Sequence, residues 1–241
     1  MQKIVLILSS GGARGLAQIG VIEELERRGY KIVAVAGSSI GALIGGFYAA
    51  GKLQEFKHWV MELDKIDVMK YFDVTLSSRG FIKGDKIFKE LSKILGNHDI
   101  EDLPIRYKAL AADILSHKPV WFDKGSLSVA MRSSVSIPGV FTPNEINGKM
   151  LVDGAIANPM PLNAFDLESD EKLFAVNLNA HIPYETPAIT KSDKRERERL
   201  AKLFHQWKEN AKKAIGNGKT KTTRKPGLYG VLFRSFEMMQ E

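Results

Sequence analysis

The sequence predicts an α/β protein built on a mainly parallel sheet with helices on both faces. Three observations carry this reading. Lys3–Leu8 is an apolar run without alternation, as a strand buried on both faces requires, and Lys31–Ala36 repeats the pattern. Between them, Arg14–Arg28 places Leu16, Ile19, Ile22 and Leu25 at helical spacing, with Gly29 as the terminating residue. Strand, helix and strand in such short succession form a βαβ unit, which implies a parallel pair joined by a right-handed crossover.

The elements continue in the same style. Ser9-Ser10-Gly11-Gly12 is a turn after the first strand. Ile40–Ala50 reads as a helix of small residues, and Leu53–Leu63 as another with Phe56, Trp59 and Val60 on one side. Residues 64–80 give no clear pattern. Asp85–Leu95 is an amphipathic helix closed by Gly96-Asn97, and Tyr107–Ala112 and Val120–Phe122 read as strands. Asn147-Gly148 signals a two-residue hairpin, so Lys149–Val152 is expected to be a strand that delivers Asp153 at its end. Leu173–Leu178 is the last clear strand.

Composition narrows the class. The 241 residues suffice for a substantial core, and 44% hydrophobic with 26% charged residues is ordinary for a globular chain. Cysteine is absent, which excludes a disulfide scaffold and thiol chemistry and fits a reducing, cytoplasmic setting. Ile4–Leu8 is too short for the core of a secretion signal. Ile32–Gly51 is uncharged and carries Gly37, Gly41 and Gly45 at the spacing of membrane helices, but its β-branched start and its Gly37-Ser38-Ser39 turn split it into two short buried elements. The net charge of +7 is concentrated between Lys191 and Lys225, where thirteen Lys/Arg stand against four Asp/Glu. No nucleic-acid motif accompanies this basic segment, so no nucleic acid is expected as a partner.

Ligands of an open α/β sheet bind beyond the carboxyl ends of its strands, where Ser9–Gly15, Gly37–Gly41 and Asp153-Gly154 all fall. Gly37-Ser38-Ser39-Ile40-Gly41 fits G-x-S-x-G with Ser39 at its centre, a sharp strand-to-helix turn that exposes a nucleophile. Ser38 is then a neighbour without a catalytic role. The bland reading is that these glycines only let helix and strand approach. Gly11-Gly12 adds backbone N–H groups of the kind an oxyanion hole requires, with Arg14 beside them. A dinucleotide fingerprint fails because Ser10 breaks it and the second strand ends without an acid, and Gly218–Thr220 lacks the upstream glycine of a P-loop. A Ser-His-Asp triad remains open through His181 or His205, although His181 lies in a Pro-bearing loop.

The stretches SGGARGLAQIG, GSSIG and DGA, in this order, together with AAD (111–113), AMRSSVSIPGVFTP (130–143) and LVDGAIANPMPL (151–162), resemble the bacterial patatin-like phospholipases over about residues 4–180. The resemblance implies a three-layer α/β/α sandwich and an acyl hydrolase with a Ser-Asp dyad. By position, Ser39 resembles the nucleophile, Asp153 the base, and Gly11 and Gly12 the oxyanion donors, with Arg14, Gly37, Gly41 and Gly154 supporting. Ser10 stands where the family carries a first glycine, so strain is expected there if the backbone adopts positive φ. The chain divides accordingly into a catalytic domain, residues 1–185, and a basic helical extension, residues 186–241.

The expected reaction is hydrolysis of fatty-acyl esters of phospholipids, lysophospholipids or related lipids, with no cofactor and no metal. Phe56, Trp59, Val140 and Phe141 are candidates for an acyl site, against a plainer role in the core. A non-catalytic lipid-binding module is the alternative from another class. Asp193–Ile215 spaces Leu200, Leu203, Phe204, Trp207, Ala211, Ala214 and Ile215 helically among basic residues. That helix is expected to pack on the enzyme or on a second subunit of a homo-oligomer, the alternative being peripheral contact with anionic lipid.

Overall fold

A computed structural model describes residues 1–63 and 84–180, together with Val231, Ser235 and Met238. Strand β1 (Lys3–Leu8) leads through a 3-10 turn (Gly12–Leu16) into α1 (Ala17–Arg27), and β2 (Lys31–Ser38) follows. The expected helix from Arg14 therefore begins as a tighter turn, because the chain must first fold the Gly11-Gly12 loop back over the sheet edge. Its end is as read: Gly29, at φ 79°, lets its own N–H reach Glu26 O and that of Tyr30 reach Leu25 O. This is the paired bonding of a Schellman cap.

Next come α2 (Ile40–Ala49), α3 (Leu53–Glu62), α4 (Asp85–Leu95), β3 (Arg106–Asp113), β4 (Lys118–Phe122), α5 (Leu127–Ser134), β5 (Asn144–Ile146), β6 (Lys149–Asp153) and β7 (Glu171–Val176). The expected hairpin turn joins β5 to β6, with Asn147 and Gly148 both at positive φ, as a primed two-residue turn needs. The uncharged stretch 32–51 is divided between β2 and the ten-residue α2. No described helix is long and apolar enough to cross a membrane. The sequence pattern did not reveal α5: its serines mask a buried face made of Leu127, Ala130, Met131, Ser133 and Ser134.

The strands form one sheet in the order β5-β6-β3-β2-β1-β7, with β4 paired to β3. Strands β7, β1, β2 and β3 are parallel, and β4, β5 and β6 add antiparallel pairs. β2 occupies one edge of β3 from Arg106 to Leu110, and β6 occupies β3 from Ala111 to Asp113. Because β4 pairs with Ala109–Asp113, overlapping both, it fills the opposite edge. β2 and β6 therefore share a single edge and meet there end to end. Asp113 fixes β6 in place, accepting the Met150 N–H at 3.1 Å and, within its own turn, the Leu115 N–H.

Helices α1–α5 lie on one face, where Ile22, Phe47, Phe56, Leu91 and Leu127 pack with Leu6, Leu8, Val35 and Tyr107. Phe56 stacks on Phe47 with ring centroids 4.4 Å apart, which makes it core rather than acyl site. Among the described residues, loop and helical segments cover the second face. Ala164, Met160 and Phe165 cover Val5, Ile7, Ala34 and Ala36, while Val231 and Met238 pack on Ala112, Met150 and Val152. Val231, Ser235 and Met238 are helical and spaced along one face, so part of the extension is joined to the catalytic sheet. The remainder of 186–241, including Asp193–Ile215, lies outside the described residues, as do residues 64–83.

Two glycines set how closely α2 approaches the strands. A Cβ on Gly37 would lie 2.3 Å from the Gly41 backbone, and one on Gly41 would lie 2.2 Å from Leu8 O. Neither backbone can yield cheaply. Gly41→Ala is expected to destabilise the fold by about 1–3 kcal/mol or more in urea denaturation, as overpacking does. Gly20→Ala, in open space on α1, should instead stabilise it by about 0.5–1 kcal/mol.

Candidate active site

Ser39 is the residue between β2 and α2. Its φ of 56° and ψ of −127° lie in a region that non-glycine residues rarely occupy, a conformation that costs about 1–3 kcal/mol and must be held by its surroundings. The holding contacts are explicit. The carbonyl of Ser39 accepts the N–H groups of Ala42 and Leu43, while its own N–H donates to Ser134 Oγ at 2.9 Å. Ser134 Oγ donates onward to Leu110 O at 2.6 Å, anchoring the elbow to β3. Tyr107 Oη donates to Ala42 O at 2.7 Å and fixes the first turn of α2 to the same strand.

Asp153 ends β6. The shared edge of β3 seats Ser38 opposite Leu110 and Asp153 opposite Ala111, on consecutive residues. Ser39 Oγ donates to Asp153 Oδ2 at 2.5 Å, and Asp153 Oδ1 accepts the Ala155 N–H at 2.8 Å. The Asp153 N–H donates to Ser136 O. Gly154 permits this approach, since a Cβ there would lie 2.1 Å from Leu110 O. Both Ser39 (5% exposed) and Asp153 (4%) are buried. Burial raises the Asp153 carboxyl to about 6, against the lowering effect of its bonds from Ser39 and Ala155.

The glycine loop sits beside the pair. Gly12 has φ 56°, which glycine adopts freely, whereas Gly11 is extended and its constraint is steric: a Cβ would lie 2.7 Å from Leu178 Cδ1. No protein acceptor among the described residues takes the N–H of Gly11 or Gly12. Arg14 braces the loop from outside, its guanidinium donating to Gly11 O at 3.4 Å and to Asn179 Oδ1 at 2.9 Å. Asn179 donates in turn to Ser10 O. Ser10 is absent from the positive-φ residues, so the strain expected at this position does not arise.

Ser38 follows the parity of Ala34 and Ala36, away from α2, and its buried Oγ has no hydrogen-bond partner among the described residues. Among the described histidines, His58 pairs with Glu62 at the end of α3, His98 accepts the Leu127 N–H through its carbonyl, and His117 lies in the β3–β4 turn, and none of the three bonds Ser39 or Asp153. His181 and His205 lie outside the described residues. Ser134, Ser136 and Asn179 also belong to the site, and although AMRSSVSIPGVFTP includes the two serines, no motif assigned a role to any of the three, because each acts through a contact with a distant segment that spacing does not encode. Phe141 packs edge-on against Phe88 at 5.4 Å. The cleft near the site is lined instead by Leu43, Leu91, Leu95, Val129, Met131 and their neighbours, with a volume of about 340 Å³.

Fold and site define an α/β/α protein with a serine elbow bonded to a single buried aspartate. The chain belongs to the patatin-like phospholipase family, whose profile matches residues 6–166. It is 45% identical over 177 residues to an uncharacterized NTE family protein of Mycobacterium tuberculosis, covering 73% of this chain and 49% of the relative. It is 28% identical over 187 residues to the lysophospholipase NTE1 of Candida albicans, covering 74% of this chain and 13% of that protein. The chain thus spans half or less of these relatives' length. The crystal structure of VipD from Legionella pneumophila shares the fold, with a TM-score of 0.55 at 15% identity, covering 100% of this chain and 67% of that one.

The buried carboxylate carries a thermodynamic signature. Its folded pKa of about 6 lies above the ordinary 3.8, so the native state binds its proton more tightly than the unfolded chain does. The contribution of Asp153 to stability should therefore fall as pH rises from about 4 through about 6. Asp153→Asn should be free of this loss and exceed wild type by up to about 3 kcal/mol at pH 8, with the advantage vanishing below pH 4. Urea denaturation of both proteins across pH checks this.

Proposed function

We propose that this chain is a serine acyl hydrolase that cleaves fatty-acyl esters of lipids through a Ser39–Asp153 dyad. The observation that carries the reading is the 2.5 Å bond from Ser39 Oγ to Asp153 Oδ2, made by a strained elbow and a carboxyl whose affinity for protons is raised by burial. Family membership supports a lipid substrate, and the name of the Candida relative adds lysophospholipids to the expected range.

Asp153 accepts the Ser39 proton as Oγ attacks the ester carbonyl. The developing oxyanion meets the N–H groups of Gly11 and Gly12, each such donor contributing about 10²- to 10³-fold to the rate. Asp153 then returns the proton to the departing alkoxide, leaving an acyl-enzyme. The same carboxylate activates water, which releases the fatty acid and restores Ser39. A carboxyl near 6 is a better base than an ordinary aspartate and is still ionised at neutral pH. The acyl chain is assigned to the cleft between α4 and α5, which starts one helical turn from the nucleophile: Leu43 follows Ser39 by four residues on α2, and Met131 precedes Ser134 by three on α5.

Ser39→Ala should abolish hydrolysis and labelling by a fluorophosphonate probe. Ser38→Ala should retain both, because it removes only a hydroxyl that has no partner among the described residues. Wild-type kcat/KM should fall about tenfold per pH unit below about 6, as the base is protonated. Loss of activity in folded Ser38→Ala, or activity that rises as pH drops below 6, would contradict the dyad.

Filling the cleft offers a separate check. Val129→Trp should raise KM for long-chain esters by about tenfold or more while leaving short-chain hydrolysis intact. Equal effects on both chain lengths would place the acyl chain elsewhere.

A further inference from the structure

We propose that Arg132, which belongs to none of the catalytic motifs, is the positioning residue of the Ser39–Asp153 pair; the inference rests on reading that pair as the dyad. Both members of the pair are held by main-chain bonds to one short segment. The Ser39 N–H donates to Ser134 Oγ at 2.9 Å, and the Asp153 N–H donates to Ser136 O at 3.0 Å. The end of α5 is thus the common reference for two residues that approach from different strands. Any drift of residues 134–136 changes the Oγ–Oδ2 separation directly.

Arg132 stops that drift. Its guanidinium donates from Nη1 to Ser136 Oγ at 2.6 Å and from Nη2 to Thr142 O at 3.0 Å and Thr142 Oγ1 at 3.3 Å. Ser136 Oγ donates back to Arg132 O at 2.9 Å, closing a ring around the helix end. The fork therefore ties the segment that positions the dyad to the start of the β5–β6 hairpin that ends in Asp153. Its plane is fixed in turn by Phe88 of α4, whose ring centroid lies 4.4 Å from the guanidinium carbon, with Phe141 at 5.9 Å on the loop. A planar group with several fixed donors suits this task, and an ammonium has neither the fork nor the stacking face.

Misplacing reacting groups by about 1 Å costs on the order of 10²-fold in rate. With a short-chain ester that does not fill the cleft, Arg132→Ala should lower kcat by about 10²-fold and leave KM unchanged, and Arg132→Lys should recover only part of the loss. Ser136→Ala should lower kcat too, and the Arg132→Ala/Ser136→Ala double variant should fall within about threefold of the worse single, because both break one linkage. The crystal structure of Arg132→Ala should show Ser39 Oγ and Asp153 Oδ2 separated beyond the about 3.0 Å limit of an O–H···O bond. If Arg132→Ala does not fold, Arg132→Lys replaces it in the cycle and the crystal. Rate losses that multiply independently, a rise in KM with kcat intact, or an unchanged separation would overturn the positioning role. A wild type that neither hydrolyses esters nor labels with a fluorophosphonate would instead overturn the dyad reading, and the separation in the variant crystal would then decide the role of Arg132 alone.

Discussion

The meeting of β2 and β6 on one edge of β3 is the constraint from which the site follows. β2 runs parallel to β3 and stops at Leu110, while β6 runs antiparallel and stops at Ala111. Two carboxyl-terminal strand ends therefore point at each other across consecutive residues of a third strand. A sheet of purely parallel crossovers would set these ends on neighbouring strands, side by side. Here the hairpin turn at Asn147-Gly148 and the Asp113 clamp on Met150 bring β6 in from the opposite direction. The 114 residues that separate Ser39 from Asp153 in the chain then cease to matter.

This arrangement has a cost that the rest of the molecule offsets. Ser39 sits at positive φ, Ser38 buries a hydroxyl with no partner, and Asp153 buries a carboxyl accepting only two hydrogen bonds among the described residues. Each of these is unfavourable taken alone. Fully buried apolar side chains from Ile4 to Leu8, with Ile22, Ile44 and Phe47 on the helical face, supply the opposing free energy. Rigidity around the site is what keeps the strained states occupied, since packed backbone at Gly37, Gly41 and Gly154 leaves the elbow nowhere to relax.

The glycines show how a structural reading and a functional reading can both hold. Gly37, Gly41 and Gly154 do let helix and strand approach closely, as a packing interpretation of the motif requires. That close approach is also what aims Ser39 at Asp153. The loop glycines divide differently: Gly12 is set by its dihedral angle and Gly11 by the Leu178 side chain, a contact across 167 residues of chain. Ser10 is tolerated beside them because its backbone stays out of the left-handed region.

The amino-acid sequence alone determined the strand-helix-strand start, the Schellman end of α1, the elbow at Ser39, the hairpin before Asp153 and the family resemblance. All of these rest on local signals: runs of apolar residues, glycine at turns, and short motifs whose geometry is fixed within a few residues. Tertiary structure decided the rest. It set β6 antiparallel on the edge of β3 that β2 also occupies, brought residues 160–165, Val231 and Met238 onto the second sheet face, and recruited Ser134, Ser136, Arg132 and Asn179 to hold the site. Serine, asparagine and arginine form hydrogen bonds in almost any surrounding, so their identity carries no address. The partner is chosen only when distant segments have been packed to within bonding distance, and that is a property of the folded chain.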